Sequence, residues 1–348
     1  MASTPLNEII FLPNIDIDID TSGGLHKYAA IIKELLKFEA NSRGDLFTLG
    51  SRDSITNTIP GYRKNFFYWD CYGISLNIKY KDYFSQNSGC IVVPDLQDLD
   101  LPLNFDNNTL ELRKRNWDFI KNLDNFTILA MSNFTKNSLM NHLRIPDNRI
   151  KVIGAGVNAR IPSLVEVGSD IQNLVRSKKY ILLMSKFWKH KKVQDFFSSI
   201  KGIDKICEDN DLYIFRIGGR AENELDSISS RRVLDLGFRS NSEVTFLLQN
   251  AKALLHPSIY EGFCMPVGES LHLNIPVSAF NIESIRELVG ESYPLTESGD
   301  YHSLINQAIK LSTDEKYKLQ VMSKINSSLG KMTWENTAAD IYRELVRI

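Results

Sequence analysis

His256-Pro-Ser-Ile-Tyr-Glu-Gly-Phe-Cys-Met-Pro-Val-Gly-Glu-Ser270 stands between two short apolar runs, Ala253–Leu255 and Val277–Ala279. Runs this short and this apolar have the pattern of strands buried on both faces of a parallel sheet. Pro266 suits the first position of a helix, and the apolar spacing carries that helix to Leu273. The order is strand, loop, helix, strand, which is the repeating unit of a doubly wound sheet.

The same alternation extends on both sides. Upstream lie an expected strand at Tyr180–Met184, a helix over Val193–Ile206, a strand at Leu212–Ile217 closed by Gly218-Gly219, a strand at Val233–Leu236 and a helix over Ser242–Asn250. A separate series opens the chain. It has strands at Ile9–Leu12, Cys90–Val93, Phe126–Met131 and Arg149–Ile153, with helices over Leu25–Phe38, Asn107–Asn122 and from the Ser132 cap to Leu143. Between the series, Ala159–Lys178 is irregular and carries Pro162 and Gly168, which suits a connection. Two series predict an α/β fold of two Rossmann-like domains, 1–165 and 166–330, facing across a ligand cleft at the strand carboxyl ends. The length of 348 residues agrees, at ~150 residues per domain.

Composition narrows the function. Lys and Arg number 41 against 42 Asp and Glu, a net charge of −1 that argues against a general nucleic-acid binder. With 43% hydrophobic and 24% charged residues the chain is globular rather than disordered. No apolar window reaches the ~18 residues of a spanning helix, and the start lacks the basic and apolar regions of a secretory signal. Cys71, Cys90, Cys207 and Cys264 show no close pairing and read as reduced thiols of a cytoplasmic protein.

The quoted stretch also carries chemistry. Glu261 falls in the loop before the helix and Glu269 about one turn inside it. Backbone amides around Gly262, Phe263, Cys264 and Met265, together with the helix N-terminus, suit an anion such as a diphosphate. The carboxylates suit hydroxyls of a sugar and a ribose. Phosphate on amides and hydroxyls on carboxylates describes a nucleotide-sugar pocket. The plain alternative is a helix start carrying two ordinary surface acids.

Pro257, Ser258, Glu261, Gly262, Phe263, Pro266 and Glu269 together resemble the E-x7-E signature of retaining glycosyltransferases of family 4, whose fold is GT-B. Cys264 stands where Gly is usual and Ser270 where Ala is usual. Asn274 replaces a turn glycine before Pro276-Val277, and Asn tolerates the left-handed conformation. Lys186 and Lys191 match the family's Arg and Lys after a strand, at the same spacing. The resemblance makes these two cations the partners of a leaving diphosphate. It further implies that Gly23-Gly24 forms the N-terminal glycine loop, and that Met332-Thr-Trp334-Glu335 opens a last helix, 331–348, returning to the first domain. Ser132-Asn-Phe-Thr-Lys136 and Arg149–Asn158 match further family segments. Where other members have His-Asp this chain has Pro94-Asp95, so Asp95 is the expected polar group near the reacting centre.

The implied activity is retaining, metal-independent transfer of a hexose to a glycan or lipid-linked glycan in bacterial surface polysaccharide assembly. The donor is a nucleoside diphosphate sugar, no cofactor is needed, and frequency among related enzymes puts GDP-mannose first. Rival readings are a nucleotide-sugar epimerase or hydrolase of the same fold, and a non-catalytic nucleotide- or glycan-binding partner. The D-x-D triplets at Asp16, Asp18 and Asp20 and at Asp98 and Asp100 suit a metal chemically but lack companion ligands. Gly154-Ala-Gly156 through Ala159 fits a dinucleotide pattern without the helix that should follow. Arg113-Lys-Arg115 beside Trp117 and Phe119 could touch a membrane surface, or form a solvated helix face with a buried aromatic side.

Overall fold

The computed structural model describes residues 6–12, 24–49, 62–68, 87–159, 161–219 and 228–347. It divides into two compact units. One contains 1–156 and 331–348, the other 157–330.

The first unit has strands β1 (Leu6–Leu12), β2 (Leu46–Leu49), β3 (Tyr62–Tyr68), β4 (Ser88–Val93), β5 (Phe126–Ala130) and β6 (Ile150–Val152). All pair in parallel, in the order β2-β1-β3-β4-β5-β6. Its helices are α1 (Gly24–Ser42), α2 (Gln97–Asp100), α3 (Asn107–Lys121), α4 (Asn133–Leu143) and, from the end of the chain, α13 (Trp334–Arg347). Ser132 caps α4 by accepting from the Thr135 N–H at 3.0 Å, as its place in the sequence predicts. The C-terminal helix packs on α1. Tyr342 donates from its hydroxyl to Asp45, and Tyr28 meets the Trp334 ring edge-on at 5.1 Å.

The second unit has strands β7 (Tyr180–Met184), β8 (Tyr213–Ile217), β9 (Val233–Gly237), β10 (Ala253–His256) and β11 (Val277–Ala279). They too are all parallel, ordered β11-β10-β7-β8-β9. Helices α5 (Ser169–Ser177), α6 (Val193–Ser199), α7 (Ile203–Asp209), α8 (Asn241–Asn250), α9 (Met265–His272), α10 (Glu283–Val289), α11 (Tyr301–Thr313) and α12 (Glu315–Met322) complete it. From β7 the chain winds outward to β9, then returns to add β10 on the other side of β7. This is the Rossmann order, and its switch point lies between β7 and β10. Ligands of such sheets bind outside the carboxyl ends of the two switch strands. In the first sheet the switch falls between β1 and β3. Gly23, Asp16, Asp18, Asp20 and Cys71 lie outside the described residues, whereas Gly24 opens α1.

Several expectations need correcting. The chain passes from one unit to the other at Gly156/Val157, earlier than the expected 165/166. A Cβ on Gly156 would stand 2.4 Å from the Trp334 N, while Val157 Cγ1 comes within 2.4 Å of where a Cβ on Gly268 would stand. Consecutive residues therefore pack in different units. The supposedly irregular connection contains α5, a nine-residue helix whose apolar face is Ile171, Leu174 and Val175, of which Ile171 alone is fully buried. The single helix expected over Val193–Ile206 is two: the first ends at Ser199, where Ile200 leaves helical geometry, and Gly202, φ +72°, stands at the N-cap of the second. Strands β2 and β3 were not expected.

The three described cysteines are free and buried. Among the described residues no helix is long and apolar enough to cross a membrane. Trp117 is buried and donates its indole N–H to Asp98 at 2.7 Å, so that side of α3 is core rather than membrane-facing. Asp100 is engaged with His142 at 2.8 Å. Both acids of the second D-x-D region thus have internal roles.

Gly156→Ala should lower stability by about 1–3 kcal/mol, because the added methyl must displace the start of α13. Gly330→Ala, with open space at its Cβ, should change it little. Chemical denaturation of both variants tests the packing; equal midpoints would contradict it.

Candidate active site

The two switch strands deliver the residues singled out by the sequence. After β7 the chain runs through Ser185, Lys186, Phe187 and Trp188 into a short 3-10 turn, Lys189–Lys191. Lys192 then takes a left-handed conformation, φ +54°, and α6 begins. Strand β10 ends at His256, and Pro257 to Cys264 follow before α9. Strands β7 and β10 are direct neighbours, so the two loops emerge side by side at the carboxyl edge.

Lys191 and Glu261 meet there. Lys191 Nζ lies 2.5 Å from Glu261 Oε1, and both groups are largely buried. His256 Nε2 lies 2.8 Å from the same oxygen. Cys264 Sγ is 3.3 Å from His256 Nε2. Glu261 Oε2 has no hydrogen bond among the described residues. Burial alone would raise the Glu261 pKa, but the Lys191 charge and the His256 hydrogen bond outweigh it and hold the carboxyl well below the usual range. It is a carboxylate at neutral pH. Burial, with the Glu261 charge adding to it, pushes the Cys264 thiol up, so the thiol keeps its proton.

His256, Glu261 and Cys264 bring potential metal-ligand atoms within 4.8 Å of one another. The set does not suit a cation. Its only carboxylate already holds an ammonium and an imidazole on one oxygen, and an incoming metal would meet the Lys191 charge.

At the start of α9 the geometry is tight. Cys264 has φ +71°, the region where glycine is usual, and it is buried. Val267 and Gly268 already donate their amides to the Cys264 carbonyl, at 3.1 and 3.3 Å, and Pro266 has none to give. The amides of Phe263, Cys264 and Met265 donate to no acceptor among the described residues. These, rather than the whole first turn, are what α9 offers an anion. Glu269 is buried further along the helix. Lys186 takes no carboxylate among the described residues, and its Nζ lies 5.1 Å from the Trp188 ring centre, with Trp188 itself exposed. Asp95 belongs to the first unit. Its Oδ1 accepts from the Gln97 N–H at 3.0 Å, a local turn contact.

Sequence reasoning missed His256 as part of the site. Its signal is a histidine ending an otherwise apolar strand at the carboxyl edge of the sheet. It also missed His190, which is buried beside the pair. Burial and the Lys191 charge push His190 down to about 4, so it is neutral in the folded protein.

That value fixes a pH dependence. Below the ordinary histidine value of 6.5 the unfolded chain takes up a proton at His190 that the native protein does not bind until about 4, so stability falls as pH drops through this interval. Glu261 acts in a lower window. Its contribution is complete above its ordinary 4.5 and is lost only as pH falls further. His190→Gln should flatten the melting temperature between about pH 6.5 and 4.5 while leaving the loss at lower pH. An unchanged slope in the variant would contradict this.

Residues 169–327 match the family described as glycosyl transferases group 1. The O-antigen chain mannosyltransferase B of Escherichia coli is 24% identical over 101 residues, 29% of this chain and 26% of that protein. An uncharacterised glycosyltransferase of Methanocaldococcus jannaschii is 26% identical over 226 residues, 63% of this chain and 59% of that protein. The matches thus span less than two thirds of these relatives. Among solved structures, Anabaena HepE in complex with UDP-glucose has a TM-score of 0.66 at 15% identity, covering 98% of both chains. WaaG, a glycosyltransferase involved in lipopolysaccharide biosynthesis, has a TM-score of 0.64 at 11% identity, covering 97% of this chain and 99% of that one. At such identities the structures establish the fold, two Rossmann-like parallel-sheet units of the GT-B class. The residues that match the glycosyl transferases group 1 family all fall within the second unit.

Proposed function

We propose that the chain is a retaining, metal-independent glycosyltransferase of family 4. It moves a hexose from a nucleoside diphosphate sugar to a hydroxyl of a glycan or lipid-linked glycan, in assembly of a bacterial surface polysaccharide. The observation that carries this reading is the buried Lys191–Glu261 pair at the switch point, beside the amides of Phe263–Met265. Cation and amides suit the diphosphate; Glu261 Oε2 suits hydroxyls of the donor sugar, and Glu269 those of the ribose. The names of the E. coli relative and of the O-antigen chain mannosyltransferase RfbU of Salmonella typhimurium, 26% identical over 171 residues, support mannose, with GDP-mannose as the first donor to try. Structural neighbours that hold UDP or UDP-glucose support a nucleotide sugar.

In the proposed step the bond between the anomeric carbon and the diphosphate breaks. The acceptor oxygen bonds that carbon on the same face, and its proton passes to the departing phosphate. Lys186, Lys191 and the three amides stabilise the charge that develops on the diphosphate. The step needs neither metal nor cofactor. Gly23, Gly24 and Asp95 are further proposed substrate contacts. The proposed location is the cytoplasm, with peripheral membrane contact through exposed side chains such as Lys114 and Arg115 rather than through Trp117.

A thermal-shift screen of the full chain against UDP-, GDP-, ADP- and dTDP-sugars should show one nucleotide class raising the melting temperature. With that donor, Lys191→Ala and Glu261→Gln should each cut kcat/KM for transfer by roughly 100-fold or more. Near-normal transfer by both variants would remove the site assignment. Donor cleavage or isomerisation without transfer would favour the hydrolase or epimerase reading.

A further inference from the structure

Strand β8 reads Tyr-Ile-Phe-Arg-Ile, an apolar run broken by Arg216. A central strand of a parallel sheet rarely carries a charge. Arg216 is 0% exposed. Its register neighbours are Leu183 on β7 and Asp235 on β9. Arg216 Nη1 lies 3.1 Å from Asp235 Oδ1, and the two side chains are 0% and 1% exposed. Asp235 Oδ1 also accepts from the Gly237 N–H at 3.0 Å.

The second terminal nitrogen is spent on loop backbone. Nη2 donates to the Ser185 carbonyl at 2.7 Å and to the Gly219 carbonyl at 2.9 Å. The guanidinium carbon lies 4.2 Å from the centre of the Phe187 ring. Arg216 therefore holds the residues on both sides of Lys186, one by its carbonyl and one by its ring. Gly218, φ +132°, presses on the same peptide: a Cβ there would stand 2.3 Å from the Ser185 carbonyl oxygen. One buried fork thus ties the ends of β7, β8 and β9 together around Lys186.

We infer that Arg216, backed by Asp235, is a positioning residue that presets the Lys186 turn for the terminal phosphate of a nucleoside diphosphate. The inference rests on the donor reading of the site and extends it to two residues that cannot touch the donor. A buried ion pair is a poor source of net stability, since apolar residues of similar volume often do as well or better. The fork geometry, by contrast, has no apolar substitute.

The test separates these roles. The double variant Arg216→Met/Asp235→Leu is compared with wild type for melting temperature and for binding of a nucleoside diphosphate and its monophosphate, by calorimetry on the full chain. The nucleotide is the one that stabilises the wild type. The expected result is a folded variant with a similar melting temperature. Its diphosphate Kd should rise at least tenfold while its monophosphate Kd stays within about threefold. Arg216→Lys, which keeps the charge and loses the fork, and Gly218→Ala should shift the same ratio in the same direction, and they decide the matter if the double variant fails to fold. An unchanged diphosphate-to-monophosphate ratio in the folded variants overturns the inference. A wild type that binds no nucleoside diphosphate overturns the donor reading first and this inference with it.

Discussion

The site depends on one carboxylate oxygen. Glu261 Oε1 receives both the Lys191 ammonium and the His256 imidazole in a buried setting. Breaking such a pair from one side leaves an uncompensated buried charge, at a cost of about 3–5 kcal/mol, although the intact pair adds little net stability. The three residues come from two segments that are far apart in sequence, the turn after β7 and the end of β10 with its following loop. They meet because β10 returns to pair with β7 after the chain has wound out to β9. A parallel sheet with this reversal leaves a gap between the crossover helices of its two halves, and the ion pair sits at the carboxyl end of that gap.

Backbone conformation supplies the second constraint. Lys192, Cys264 and Asn274 all have positive φ, near the regions where glycine is favoured. For non-glycine residues this costs on the order of 1–2 kcal/mol each. Lys192 ends the turn that presents Lys191, and Cys264 starts the helix that carries Glu269. Asn274 closes the turn after α9. Lys192 and Cys264 therefore border the chemistry, while Arg144, Asp211 and Asn274 take the same conformation at turns elsewhere. The buried thiol of Cys264 adds a weak contact to His256 in the same small space.

Strands buried on both faces were the most legible part of the sequence. Tyr180–Met184 and Val277–Ala279 have the observed bounds, and Cys90–Val93 and Ala253–Leu255 fall short by one or two residues. Strand β3, Tyr-Arg-Lys-Asn-Phe-Phe-Tyr, was hidden by its polar middle. Asn65 is buried there because its amide donates to Asn7 at 3.0 Å, a partner fifty-eight residues away. Strand β2 is a four-residue edge strand with exposed ends, too short to show a period. At the site, the spacing of Glu261 and Glu269 and the two lysines after β7 could be read directly. The Lys191–Glu261 contact, the part of His256 and the Arg216–Asp235 fork could not. The first and last join residues whose nearness is created by strand order, which no local pattern encodes, whereas His256 lies five residues from Glu261 and is marked only by its place at the end of an apolar strand.

The central claim is that the β7/β10 switch point of the second unit holds the diphosphate of the donor. A crystal structure of the full chain with a bound nucleoside diphosphate tests it most directly. The account predicts a phosphate oxygen within about 3 Å of Lys191 Nζ, with others on the amides of Phe263–Met265. A nucleotide bound with its phosphates elsewhere, and the Lys191–Glu261 pair untouched by any ligand atom, would contradict it.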